Sequence, residues 1–190
     1  MHTLLKLALC AASCCWLNTA HAEDVDWPEY LGGKERNLYS PLDQINRENI
    51  SQLKVAWTYD TGEADEYQAN NLIVDGKLFT PTPSRKVIAL DAATGTELWS
   101  WDPAKEHTGA GRARQRGLVF WENANGGEQR LFTAVDGFLF AIDPQSGTTI
   151  RSFGDNGSIN LGSGPNTPGI THQDGLILGG VGGQRPVPAF

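Results

Sequence analysis

The sequence repeats itself, and that periodicity constrains the fold more than any other feature. Val74-Asp75-Gly76-Lys77-Leu78-Phe79-Thr80 is followed by Val87-Ile88-Ala89-Leu90-Asp91-Ala92-Ala93-Thr94-Gly95-Thr96-Glu97-Leu98-Trp99. About 52 positions later come Gln129-Arg130-Leu131-Phe132-Thr133 and then Phe138-Leu139-Phe140-Ala141-Ile142-Asp143-Pro144-Gln145-Ser146-Gly147-Thr148. Leu78 matches Leu131, Phe79 matches Phe132, Ala89 matches Ala141, Asp91 matches Asp143 and Gly95 matches Gly147. A third copy opens at Gln173-Asp174-Gly175-Leu176-Ile177-Leu178. Repeats of this length bury their apolar faces against one another rather than each around a core of its own.

One unit reads as strands and turns. Residues 77–80 and 87–90 are short β-rich runs separated by Pro81, Pro83 and Ser84, which is a hairpin signal. Asp91 can accept backbone N–H bonds in the following turn, and Gly95 supplies a positive φ there. Residues 96–101 then alternate, with Trp99 on the strand. Apolar residues every three to four positions, which helical repeats require, are missing. The unit therefore predicts an all-β fold, a β-propeller of four-stranded antiparallel blades. A propeller needs about four to eight blades of about 40 to 50 residues. Residues 23–190 supply about three, an incomplete ring: either a piece of a longer protein or a shortened product that would expose sheet edges and associate or misfold.

Composition agrees with a globular β chain: 22 Gly, 10 Pro, 39% hydrophobic residues and only 19% charged ones. A formal charge of −7 disfavours nucleic acid and anionic membrane surfaces as partners. Residues 1–22 carry one cation, Lys6, an apolar run over residues 7–17, and Ala20-His21-Ala22 ahead of Glu23-Asp24. That is the pattern of a secretory signal peptide, and the apolar run is too short for a transmembrane anchor. A lipid-anchored form cleaved before Cys14 is a lesser option, since the usual Leu three places earlier is absent. All three cysteines, Cys10, Cys14 and Cys15, lie in the leader, so the mature domain, residues 23–190, has no thiol for disulfides, metal or nucleophilic chemistry. The expected location is the periplasm, with no transmembrane helix in the mature chain and membrane association left open.

Four segments resemble the N-terminal part of the pyrroloquinoline-quinone (PQQ)-dependent alcohol and glucose dehydrogenases, which are eight-bladed propellers. Asp26-Trp27-Pro28-Glu29-Tyr30-Leu31-Gly32-Gly33, running on through Tyr39-Ser40-Pro41-Leu42-Asp43-Gln44-Ile45-Asn46, is similar to the family's mature start. Leu53-Lys54-Val55-Ala56-Trp57-Thr58-Tyr59 is similar to its first strand. Ala89, Asp91, Thr94, Gly95 and Trp99 make up its tryptophan-docking motif, and Arg116-Gly117-Leu118-Val119-Phe120-Trp121 resembles its Arg-Gly-x-x-Tyr-Trp segment with Phe for Tyr. Trp99 then has a structural task, packing between blades. Arg151 occupies the matching place in the second repeat, so that blade must be held differently.

The resemblance implies a cofactor site, carried over residue by residue. PQQ is a planar tricarboxylate, which calls for cationic forks and amide or hydroxyl donors. Arg116 matches the arginine that reaches the cofactor carboxylates; on residue type alone it reads equally as one of the surface run Arg112, Arg114, Arg116. Gln68 falls where the family places a Glu or Gln that bonds the cofactor, and the alternative is a solvated strand end. Gly182 and Gly183 fall in the loop whose backbone lies near the quinone. No catalytic residue and no metal ligand is assigned within this chain. The catalytic Asp and the remaining calcium ligands of the family lie in later blades.

Departures also count. Where alcohol-oxidising members carry adjacent cysteines, Gly109-Ala110-Gly111 stand, which points towards the sugar-oxidising or uncharacterised branch. Ala134 replaces a family Thr, and Gln184 sits near the position of a calcium-ligating Glu, a poorer ligand for a hard cation. For the complete protein the resemblance implies oxidation of a small alcohol or sugar. An Asp takes the hydroxyl proton, calcium polarises the quinone, and hydride passes to it before electrons leave to a quinone or cytochrome acceptor. The chain alone should be inactive. The competing function is a non-catalytic propeller scaffold in envelope assembly, which shares the docking motif but has no use for Arg116-Gly117 or Gln68.

Other motifs carry less. His107 and His172 lack Cys or carboxylate partners at metal spacing and read as loop histidines. Asp155-Asn156-Gly157-Ser158 lacks the later Glu of a calcium loop and reads as a turn. Gly109-x-Gly111 lacks the strand and third glycine of a dinucleotide site, and Ser40, Ser84 and Ser163 have no nucleophile-elbow setting. Asp65-Glu66 reads as a solvated loop.

Overall fold

The computed structural model describes residues 24–107, 116–162, 168–179 and 187–188. The leader, Gly109-Ala110-Gly111, Arg112, Arg114, Ser163, Gly182, Gly183 and Gln184 lie outside them.

Strands β1 Leu72–Val74, β2 Lys77–Pro81, β3 Val87–Asp91 and β4 Glu97–Trp101 form an antiparallel sheet in chain order. After a short helix, α1 Pro103–Glu106, a second four-stranded sheet follows in the same order: β5 Val119–Glu122, β6 Gln129–Val135, β7 Phe138–Ile142 and β8 Ser158–Asn160. A third has β9 Ile170–His172, β10 Gly175–Ile177 and β11 Val187–Pro188, in the order β11-β10-β9. The first two are the four-stranded blades that the repeat predicts, and β2, β3 and β4 lie within a residue of the runs read from the sequence.

The blades pack face to face, and side-chain parity decides which neighbour each residue meets. In β5, Phe120, with Leu118 just before the strand, joins Leu131, Val135, Phe140 and Ile142 against Leu72, Val74, Phe79, Val87, Ala89 and Trp101 of the first blade. Val119 and Trp121 point the other way and join Phe132, Leu139, Ala141 and Phe153 against Leu176 of the third. Because both faces of the middle blade are covered, β6 and β7 read as nearly continuous apolar runs rather than alternating ones.

Turn chemistry fixes the registers. Asp75-Gly76 and Asp136-Gly137 each place two residues at positive φ, and the flanking pairs are Val74 with Lys77 and Val135 with Phe138. These are tight two-residue hairpins of the kind that Asp-Gly favours. Asp155, Asn156, Gly157 and Ser158 make a further turn, with the Asp155 N–H donating to the Ser158 carbonyl at 2.7 Å.

The docking motif works through the Asp91 turn and its copy. Asp91 Oδ1 accepts the Thr94 hydroxyl at 2.8 Å and the Thr94 N–H at 2.8 Å, which holds its carboxyl below the usual range. Gly147 has φ +70, and a methyl group there would lie 2.5 Å from the Trp99 indole. Trp99 Nε1 donates to the Pro144 carbonyl at 3.1 Å. Trp57 repeats the arrangement one blade earlier: it covers Gly95, with the same 2.5 Å approach, and Nε1 donates to the Ala92 carbonyl at 3.1 Å. Residues 53–59, similar to a first strand by resemblance, form no ladder among the described residues. Their anchor points are Trp57 and the Tyr59 hydroxyl, which donates to the Glu97 carboxylate.

The second blade is held differently, as Arg151 requires. Thr149 alone bridges Ile142, the chain leaves the sheet at Arg151, and it returns as β8. Phe153 fills the space in between, buried with its ring 5.4 Å from Phe132, while Arg151 pairs with Glu106 at 2.8 Å.

Candidate functional site

The first strands of the blades converge. Asn70, just before β1, forms a parallel bridge with Gly117, just before β5, and β5 lies beside β9. The edge of β1 away from β2 is occupied too. The Trp27 N–H donates to the Ile73 carbonyl at 2.7 Å, and the Ile73 N–H to the Trp27 carbonyl at 3.0 Å. Beyond Trp27 the chain turns at Gly32, whose φ of +94 and approach to the Trp27 ring exclude a side chain. Pro28 and Tyr30 then face Leu118, Val119, Ile170 and Thr171 across a shallow cleft. The segment over residues 27–32 thus spans the inner edges of three blades.

The segments that carry Arg116 and Gln68 come together at the end of the blades where β1 and β5 begin. The Arg116 carbonyl accepts the Asn70 N–H at 3.0 Å and Asn70 Nδ2 at 3.0 Å, which brings the segment carrying Gln68 to within two residues of Arg116. The Arg116 side chain is exposed and has no ion pair among the described residues. Gln68 is also exposed, and its Nε2 donates to Glu66 Oε1 at 2.7 Å. Gly117 explains why glycine follows this arginine: φ is +155, and a methyl group would lie 2.9 Å from Pro168 Cγ and 3.3 Å from the Asn70 carbonyl oxygen.

Hydrogen bonds and ion pairs also tie down the chain on either side of β1 and β2. Glu63 accepts from the Ser84 N–H at 2.7 Å, the Ser84 hydroxyl at 2.6 Å and the Thr82 hydroxyl at 3.1 Å, with Lys86 at 3.7 Å. Burial pushes this carboxyl up, but the hydrogen bonds and the Lys86 charge outweigh it and hold it below its ordinary range. The Tyr67 hydroxyl meets Asn71 and Thr80. Arg85, buried and at φ +67, reaches the next blade to pair with Asp136 at 2.8 Å.

Three of these contributors carried no signal in the sequence. Asn70, Glu63 and Arg85 act through contacts 19 to 51 positions away. Ala134, in place of a family Thr, packs beside the apolar cluster of Phe132 and Leu139. His107 packs against Phe138 with tilted rings whose centres lie 4.3 Å apart, and His172 lies exposed on β9. Gly182 and Gly183, the other two candidate cofactor residues, fall outside the described residues.

Residues 27–176 match the model of the PQQ family described as "Glucose/ethanol/alcohol dehydrogenase, beta-propeller domain". The chain belongs to this family. It is 40% identical over 131 residues to the dehydrogenase subunit of the quinone alcohol dehydrogenase of Gluconobacter oxydans, covering 67% of this chain and 17% of the relative. It is 30% identical over 191 residues to quinoprotein glucose dehydrogenase A of Acinetobacter calcoaceticus, covering 82% and 24%. The crystal structure of quinohemoprotein alcohol dehydrogenase from Comamonas testosteroni superposes with a TM-score of 0.66 at 24% identity, over 80% of this chain and 23% of that one. This PQQ-family chain therefore spans less than a quarter of the length of these relatives. Among the described residues no helix is long and apolar enough to cross a membrane.

Proposed function

We propose that this chain is the N-terminal part of an exported PQQ-dependent dehydrogenase, in which Arg116 and Gln68 hold the cofactor. Its substrate is a small alcohol or aldose sugar, its electrons pass to a quinone or cytochrome, and residues 1–22 direct it to the periplasm. The observation that carries the reading is Arg116: an exposed guanidinium with no carboxylate partner among the described residues, held at the convergence of the blades by its own backbone. Such a fork matches a carboxylate of a planar triacid, and the Gln68 amide adds a donor and an acceptor. Bound PQQ would supply the two-electron acceptor for hydride.

The part played by the chain's own residues is positioning. Gly117 permits the close packing that brings Arg116 beside the start of β1, and Glu63 and Arg85 tie down the neighbouring loops. Calcium belongs to the complete protein in this reading, because the resemblance puts the catalytic Asp and the remaining calcium ligands in later blades. By the same reasoning the 190-residue chain alone is inactive.

The test is a PQQ titration of the full-length product, followed by quenching of tryptophan fluorescence, with and without calcium. Arg116→Met is expected to raise the half-saturating PQQ concentration by about 30-fold, the scale of a charge-assisted hydrogen bond, and Arg116→Lys to recover only part of it. Absence of PQQ binding by the unaltered protein under both conditions rejects the reading.

A further inference from the structure

The Arg116 carbonyl needs one donor to be satisfied, and the Asn70 backbone N–H already provides it at 3.0 Å. The same residue supplies a second, Nδ2, also at 3.0 Å. Two donors on one carbonyl occupy both lone pairs and fix the plane of the Arg116-Gly117 peptide, where one donor alone leaves it free to tilt. Pro168 also lies close to Gly117, where an added methyl group would come within 2.9 Å of its Cγ. The Arg116 side chain beyond it makes no hydrogen bond or ion pair with another described residue. The direction in which the guanidinium leaves the backbone is therefore set by the clamp on its peptide. A small tilt there is magnified along a side chain of four rotatable bonds.

From this geometry we infer that Asn70 is a positioning residue for Arg116, acting through the Arg116 carbonyl to aim the guanidinium at a carboxylate of the bound cofactor. The inference rests on the reading of Arg116 as a cofactor ligand. It assigns to Asn70 no contact with the cofactor. Asn70 is exposed, so its truncation leaves the packed faces of the blades untouched.

The experiment is a double-mutant cycle in the full-length protein: parent, Asn70→Ala, Arg116→Met and the double variant. The readouts are the half-saturating PQQ concentration by tryptophan quenching and the thermal midpoint of the cofactor-free protein. Asn70→Ala is expected to raise the half-saturating concentration about tenfold with the midpoint within a degree or so of the parent. In the Arg116→Met background the same change is expected to add nothing, because the group it acts through is gone. An unchanged half-saturation in Asn70→Ala overturns the role, whatever the midpoint does. So does a loss that is fully additive with Arg116→Met, which would make Asn70 a ligand in its own right or a purely structural residue. A parent that binds PQQ while Asn70→Ala binds equally well sinks the Asn70 role alone. A parent that binds none sinks it together with the reading of Arg116.

Discussion

At Glu63, desolvation and hydrogen bonding pull the carboxyl in opposite directions, and hydrogen bonding wins. Burial raises its affinity for a proton, while the Ser84 hydroxyl and N–H, the Thr82 hydroxyl and Lys86 favour the anion, and the net effect lowers its pKa. A carboxyl lowered on folding contributes stability that is present above its unfolded value and is lost as pH falls through its folded value. The loop over residues 82–86, which also carries Arg85, should therefore loosen on acidification from about pH 5 downwards. Glu63→Gln keeps the shape but removes the charge, so it should cost about 1 to 2 kcal/mol at neutral pH, as expected for losing hydrogen bonds to a charged group, and flatten this part of the pH dependence. Urea unfolding at pH 7 and pH 4 measures both effects. An equal penalty for Glu63→Gln at the two pH values would contradict the assignment.

Between elements, the docking of an indole on a glycine is the contact that the repeat is built to make. Trp99 lies over Gly147 and Trp57 over Gly95 at the same 2.5 Å clearance for an added methyl group. Gly147→Ala forces the indole away, breaks the bond from Nε1 to the Pro144 carbonyl, and places an L residue at φ +70. The three effects together should cost about 2 to 4 kcal/mol and shift tryptophan emission to the red, as the ring gains water. A substitution at Gly76, also at positive φ but with open space around it, should cost only the backbone strain of about 1 kcal/mol. Comparing the two by denaturant unfolding separates docking from strain. These elements were legible in the sequence because their signals are local: Asp91, Gly95 and Trp99 lie within nine positions, and their copies return at a fixed spacing. The place of residues 53–59 was less legible, because chain that is anchored by one tryptophan has the same composition as a paired strand. The clamp of Asn70 on Arg116 was not legible at all. Its partner is 46 positions away, and no propensity or spacing announces a parallel bridge. Phe153 taking over from the missing tryptophan at Arg151 is a rearrangement of packing, visible only once the faces are assembled.

At the scale of the molecule, the question is what covers the outer surfaces of a partial wheel. Trp57 occupies the position in its docking contact that Trp99 occupies in the next, and Trp99 belongs to β4, which is paired along one edge to β3. Residues 53–59 have no such neighbour among the described residues, and Val55 is 80% exposed and Leu53 57% exposed beside the anchored Trp57. Exposed apolar chain with unpaired backbone groups is a template for another strand. In a complete propeller that strand would come from a blade of the same molecule. None of the described residues fills that place, so in the 190-residue chain produced by itself a second copy can supply the strand. The isolated chain should therefore self-associate, with sedimentation velocity showing species heavier than the monomer that grow with concentration. Val55→Lys together with Leu53→Lys should return the distribution towards the monomer, since charges at an edge oppose pairing without touching the core. The same pair of changes in the full-length protein should instead weaken the closure of the ring and lower its thermal midpoint. Both results follow from one surface meeting different partners. A monomeric isolated chain, indifferent to the two lysines, would mean that this edge is already satisfied within the chain and that the wheel is not waiting for further blades there.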